Sequence, residues 1–415
     1  MDAHTAGRPG LLYYSAFAFP LALSALPVYV YSPALYAERG HLPLTMLGAA
    51  LLGARLFDAL IDPALGRWVD RTRGRTGYER HIALAVPLLG AGVTALFNPP
   101  AMDAGHALVW LLAALLLVHT GYSLGNIAYQ SWGAGLAQAR ELRSLVTGCR
   151  EAVGLLGVIA AAVLPAIAGL SWLCLLFLIT LAGAAWLLLT RGTPAAPARD
   201  TSPAPAGLLL PLANPAFRRL IVVFLCNGIA AAIPATLFSF FARDRLGLGS
   251  SAGYFLAAYF LAGALSMPFW AMAARRHGEA RAWLWSMMLA LAAFCSAYTL
   301  GAGDAVAFGS ICLLSGCALG ADLALPPALL TAVIHHAGHG GQREGAYFGL
   351  WNWASKMALA LAAGTALPVL AWLGYRPGDT TDTGGQALSI AYAALPCVFK
   401  AAACLLLFLS RFDDT

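Results

Sequence analysis

Twelve apolar runs, most about twenty residues or longer, follow one another through nearly the whole chain. They lie near 11–36, 44–68, 82–98, 107–137, 145–169, 171–190, 218–242, 252–274, 282–301, 305–334, 345–373 and 387–410. A helix needs about 20 apolar residues to cross a bilayer. Inside lipid only a helix or a closed barrel satisfies its own backbone. Runs of this length therefore predict an all-α membrane protein of twelve transmembrane helices. Composition agrees: 60% of the 415 residues are hydrophobic and 11% charged, where a soluble domain carries about 25% charged residues. No soluble domain fits between the runs. The first run exceeds the apolar core of a signal peptide and lacks a clear cleavage site, so it is read as the first span. The eight cysteines fall in apolar runs with no Cys-x-x-Cys pair, and read as small core residues.

Orientation follows from Lys and Arg in the loops. With both termini in the cytoplasm, inside segments hold 17 of these residues and outside loops hold four, Arg39, Arg243, Arg245 and Arg376. The net positive charge thus reflects topology, and no nucleic-acid partner is implied. The longest inside connection, "RGTPAAPARDTSPAPAGLLLPLANPAFRR" at 191–219, is rich in Pro and Ala and reads as a flexible linker. It divides the chain into a six-helix bundle at 1–190, a linker at 191–217 and a second bundle at 218–415. "GYSLGN" at 121–126 and "GCALGA" at 316–321 stand in the fourth and tenth spans, each with Gly-xxx-Gly. Pro63 and Pro268 each lead into a basic loop from the second and eighth spans. Such matches at equivalent spans point to duplication, the layout of transporters with internal repeats.

Charges inside the spans carry the chemistry. "LGARLFDALIDPALG" in the second span holds Arg55, Asp58 and Asp62. Each costs about 2.5–3.5 kcal/mol at mid-membrane, and their i, i+3, i+7 spacing predicts one shared inward face. Two carboxylates a turn apart repel, and a bound cation or proton relieves the repulsion. The alternative is a salt-bridge cluster that only holds the helix, though a static pair needs one acid rather than two. In the fifth span Arg150 and Glu151 point about 100° apart and need not pair. Lys356 is a lone cation of the eleventh span. Asp322 and Lys400, in the tenth and twelfth, are candidates for a mutual bridge. Tyr129, Trp132, Trp351 and Trp353 read as packing or interfacial aromatics, with cavity lining the alternative. His335, His336 and His339 read as solvated loop histidines, with no metal expected. No phosphate-cradling Gly-x-x-x-x-Gly-Lys-Ser/Thr loop is present, which argues against ATP hydrolysis. No Ser/His/Asp or metal-spaced set suggests an enzyme, and no cofactor is expected.

"GRWVDRTRGR" at 66–75 resembles the Gly-x-x-x-Asp-Arg/Lys-x-x-x-Arg loop of the major facilitator superfamily. The fuller "ARLFDALIDPALGRWVDRTRGRTG" resembles the helix 2 signature of its glycoside–pentoside–hexuronide:cation symporters. "GYSLGNIAYQSWGAGL", "VTGCREAVG" and "LPPALLTAVIHHAGHGGQREGAYFGLWNWASKMALAL" are similar to that family's helix 4, helix 5 and helix 10–11 segments. The resemblance implies two pseudo-symmetric six-helix bundles and alternating access. It implies a coupling-ion site at Asp58, Asp62 and Ser123, with Arg55 and Lys356 in charge coupling. Solute contacts are expected at Asn126, Gln130, Trp132 and Arg150. A cytoplasmic gate is expected at Gly66, Asp70, Arg71, Arg73, Arg75, Arg343 and Glu344.

The departures narrow these expectations. Sugar-carrying relatives have an aspartate in helix 1 and another in helix 4. Here no acid lies between Leu11 and Ala37, and Asn126 stands in the fourth span. Ile61 replaces an amide common in sodium-using relatives, so the expected ion is a proton rather than sodium. The expected function is cation-coupled (H+ or Na+) symport of a small solute such as a sugar or glycoside. A lysolipid or other amphiphile carrier on the same fold is the alternative, ahead of a sensor or a polytopic enzyme. The expected setting is the bacterial inner (plasma) membrane, and the expected state a monomer whose partners are solute, cation and bilayer.

Overall fold

The computed structural model describes residues 8–38, 44–72, 77–136, 140–192, 209–248, 251–375, 382–410 and 412, with no strand among them. The helices are α1 (Arg8–Ala16), α2 (Ala18–Glu38), α3 (Leu44–Thr72), α4 (Glu79–Phe97), α5 (Ala104–Leu136), α6 (Arg140–Ala168) and α7 (Leu170–Arg191). They continue with α8 (Pro215–Phe240), α9 (Ala252–His277), α10 (Glu279–Cys295), α11 (Ala305–His336), α12 (Glu344–Trp372), α13 (Asp382–Ser389) and α14 (Leu395–Leu409). Among the described residues ten helices are long and apolar enough to span a membrane. With α1–α2 and the 29-residue α3 they complete the predicted order. Helix ends lie within six residues of the apolar runs. Most differences arise because polar or charged first and last turns, such as Glu79–His81, extend a helix past its apolar part.

Local chemistry sets the breaks. Gly169 and Gly278, at φ 89° and 93°, turn the chain between α6 and α7 and between α9 and α10. A side chain rarely adopts that conformation. At α8 the Asn214 side chain accepts the Ala216 N–H at 3.0 Å and Pro215 opens the helix, a start signal lying inside the stretch read as linker. α8 ends in a π turn, Phe241–Arg245, and another, Ile390–Ala394, joins α13 to α14. Phe241 and Tyr392, one from each turn, stack with ring centroids 4.0 Å apart. Residues 193–208 of the linker lie outside the described residues.

Packing separates the chain into two compact units. One runs to Pro211 and takes in Ile334–Trp353; the other holds Leu212–Val333 and Ala354 onward. In the first, α4 and α3 lie along α5, and α2 lies along α6. In the second, α8 lies along α14 around a core that includes Ile233, Leu237, Phe241, Phe308 and Tyr392. The paired Gly-xxx-Gly segments serve different neighbours. A Cβ on Gly121 would meet the Leu89 backbone of α4, whereas one on Gly316 or Gly320 would meet α9 backbone at Tyr259 or Gly263. Each motif permits close approach, but the two contacts are not copies of one another.

Candidate ion and solute site

A continuous buried stripe runs down α3 through Leu47, Ala50, Ala54, Asp58, Asp62, Gly66 and Val69. Asp58 is 3% exposed and Asp62 fully buried. Arg55 sits at the edge of this stripe and is exposed. The single shared face expected for the three charges is therefore divided. Residue 55 is turned about 60° from 58, enough to cross a stripe one side chain wide.

α5 meets α3 with a polar stripe of its own: His119, Ser123, Asn126 and Gln130, spaced four, three and four. Ser123 Oγ donates to Asp58 Oδ1 at 3.1 Å. His119 Nδ1 stands 3.4 Å from Asp58 Oδ2, both side chains 5% exposed. Gln130 Nε2 donates to Asn126 Oδ1 at 3.0 Å and to Asn352 Oδ1 of α12 at 3.3 Å. Gln130 Oε1 and Asn352 Nδ2 are buried and make no hydrogen bond among the described residues. These amides thus retain one acceptor and one donor. Trp132, expected at the solute, is wholly buried, as are Tyr129 and Trp351 to within 3%, so these rings pack the interior. His119 and Asn352 did not emerge from the sequence. His119 lies one turn before Ser123, and that spacing was the available signal. Asn352 offered only an amide four residues before Lys356.

Arg150 is 5% exposed on α6. Its Nε and Nη2 donate to Glu151 Oε1 at 2.9 and 2.5 Å. The expectation that these neighbours need not pair is corrected: a long guanidinium reaches around the helix, and burial drives it to the nearest carboxylate. Tyr14 and Tyr129 are its other polar neighbours. Each tyrosine hydroxyl donates to the other's carbonyl, at 3.1 and 2.8 Å.

At the loop end of α3, Asp70 faces the first turn of α12. Oδ1 accepts the Gly345 N–H and Oδ2 the Ala346 N–H, both at 2.7 Å. A carboxylate there satisfies backbone donors that a helix start leaves open and complements its dipole. Glycines allow the approach. A Cβ on Gly66 would lie 2.8 Å from the Gly345 carbonyl carbon, and one on Gly349 would lie 2.6 Å from the Asp62 carbonyl oxygen. Glu344 is fully buried. It accepts the Tyr78 hydroxyl at 3.2 Å and the Gly341 N–H. Arg71 is exposed and Arg343 half-buried; Arg73 and Arg75 lie outside the described residues. The histidines read as solvated loop residues differ in fate. His336 is exposed. His335 Nε2 lies 3.2 Å from the Ala134 carbonyl and His339 Nδ1 2.9 Å from the Tyr347 hydroxyl. Partial burial and Arg343 hold His339 below the usual histidine pKa.

In the second unit Lys356 is half-buried on α12. Asp322 and Lys400 do bridge, Nζ to Oδ2 at 2.7 Å. Lys400 also donates to Asn227 Oδ1 at 2.7 Å, and Trp283 Nε1 donates to Asp322 Oδ1 at 2.8 Å. A separate groove of about 660 Å³ among α4, α5 and α7 is lined by apolar groups including Val86, Gly90, Trp110 and Leu178. Trp110 lies half a turn around α5 from His119, so this groove is not part of the polar stripe.

Long apolar helices that bury charged and amide side chains among the described residues fit a membrane transporter, and comparison with known proteins places it in the major facilitator class. The chain belongs to the MFS/sugar transport protein family, whose pattern matches residues 13–414, and the family is one of transporters rather than enzymes. The uncharacterized symporter YjmB of Bacillus subtilis is 30% identical over 135 residues, 31% of this chain and 29% of YjmB. The isoprimeverose transporter of Lactiplantibacillus pentosus is 30% identical over 159 residues, 37% of this chain and 33% of that protein. The matched stretches thus span about a third of these relatives. Both fit the glycoside–pentoside–hexuronide branch. Among solved structures, a bacterial homologue of the iron transporter ferroportin in an outward-facing state superposes with a TM-score of 0.73. It is 14% identical and covers 97% of this chain and 98% of its own. The fucose:proton symporter FucP of E. coli gives 0.69 at 12% identity, covering 95% and 98%. At such identities the likeness is one of fold.

Proposed function

We propose that the protein is a cation-coupled symporter of a small polar solute, a sugar or glycoside, working by alternating access. The observation that carries this reading is a pair of carboxylates, Asp58 and Asp62, one turn apart and at most 3% exposed in a membrane helix. In this reading they take the coupling ion with Ser123, while Arg55 and Lys356 respond to its presence. An ion moving down its gradient supplies about 2.3 kcal/mol per charge per 100 mV. Asn126, Gln130, Trp132 and Arg150 serve the solute. A sugar hydroxyl both donates and accepts, which suits the open acceptor of Gln130 and open donor of Asn352. The names of the curated relatives, a symporter and an isoprimeverose transporter, support the same class of solute.

The moving parts are the halves 1–190 and 218–415, joined by 191–217. Gly66, Asp70, Arg71, Arg73, Arg75, Arg343 and Glu344 form the cytoplasmic gate, with both termini on that side of a bacterial inner membrane. The absence of an acid in the first span and Asn126 in the fourth favour, as a second reading, a lysolipid cargo. Uptake into proteoliposomes, screened over sugars, organic anions and lysolipids, separates the two. Saturable sugar uptake supports the first reading, and transport confined to lysolipids rejects it.

A further inference from the structure

Asp58 is not an open carboxylate. One oxygen is held by Ser123 and the other faces His119 at 3.4 Å. His119 and Ser123 are one helical turn apart on α5, so both side chains come to Asp58 from the same wall. A ring nitrogen turned to a carboxylate is favourable only with its hydrogen in place. A hydrogen on Nδ1 then stands on the side of Oδ2 where a cation would bind. The helices packed on α5 bring few other charges. α4 has none between Ile82 and Phe97, and α2 offers only tyrosines before Glu38. α6 brings the buried Arg143 and the mutually paired Arg150 and Glu151. α3 brings Asp58, Asp62 and the exposed Arg55, with Arg67, Asp70 and Arg71 farther along toward its loop end.

We propose that His119 reserves this site for a proton by closing the Asp58 oxygen that a sodium ion would need. The inference rests on Asp58 and Asp62 being the coupling-ion site. Sodium requires a shell of several oxygens and tolerates no donor hydrogen within it. Here Ile61 adds no side-chain oxygen, and a nitrogen donor stands where an oxygen ligand would be useful. A proton needs no shell. A single carboxylate oxygen takes it, and the carboxyl group is then neutral.

Replacing His119 with a residue that offers oxygen in place of the ring should admit sodium. The test is equilibrium binding of radioactive sodium to the purified full-length protein, wild type against His119→Asn and His119→Ser, with thermal melting as the check on folding. Wild type should show no saturable sodium binding. At least one variant should show saturable sodium binding, at least about tenfold tighter than the limit set by wild type, and adding Asp58→Asn to that variant should remove it. Saturable sodium binding by wild type overturns the proposal, as does failure of both folded variants to gain it. The underlying reading is tested separately: if Asp58→Asn and Asp62→Asn both retain uphill solute accumulation, the coupling site lies elsewhere. If those variants uncouple while wild type binds sodium, only the role of His119 fails.

Discussion

Arg150 holds Glu151 through Nε and Nη2, and a solute oxygen would have to share or displace that grip. A buried guanidinium that also hydrogen-bonds solute contributes about 1.5–3 kcal/mol to its binding. Arg150→Ala should therefore weaken solute binding by about 10- to 100-fold. Arg150→Lys should restore little, because an ammonium cannot reproduce the guanidinium fork. Calorimetric binding of a solute found by the uptake screen measures this, and unchanged affinity in a folded variant rejects the role. Lys400 belongs to a different kind of cluster. It joins Asp322 and Asn227, and Trp283 closes the other Asp322 oxygen. Lys400→Met strands Asp322 and should lower the melting temperature sharply, by about 3–5 kcal/mol of stability. Adding Asp322→Asn should recover part of that loss. Equal instability of single and double variants would mean that the pair is not energetically coupled.

At the scale of helices, the first turn of α12 depends on a residue of α3. Asp70 satisfies two backbone N–H groups there, worth about 1–2 kcal/mol together with the dipole effect. Asp70→Asn retains one acceptor and loses the charge. It should open the gate more often, so cysteines placed beside Gly345 label faster from the loop side in membranes. Unchanged labelling would leave Asp70 with no part in closure. The residue was legible in "GRWVDRTRGR"; its partners were not, because backbone N–H groups leave no side-chain signature. The pairing of Arg150 with Glu151 and of His119 with Asp58 was hidden for a related reason. Spacing along one helix says which residues share a face, but not how far a long side chain bends or what a neighbouring helix presents. Arg55 shows the limit most clearly, since a 60° offset within a nominally common face separates exposure from burial.

For the molecule as a whole, bilayer thickness made the architecture readable. Span length is imposed from outside, so all twelve spans could be placed to within six residues of the helix ends. The internal repeat was less informative, since the glycine motifs of α5 and α11 close on different neighbours. The account's central claim is that Asp58 and Asp62 couple solute movement to an ion gradient. Its direct measurement is radiolabelled solute accumulation in proteoliposomes under an imposed inward proton gradient, for wild type, Asp58→Asn and Asp62→Asn. Wild type should accumulate solute above equilibrium without sodium, while each variant should exchange solute across the membrane but accumulate none. Uphill accumulation that survives in both variants, or wild-type uptake that only equilibrates under imposed proton and sodium gradients alike, would contradict it.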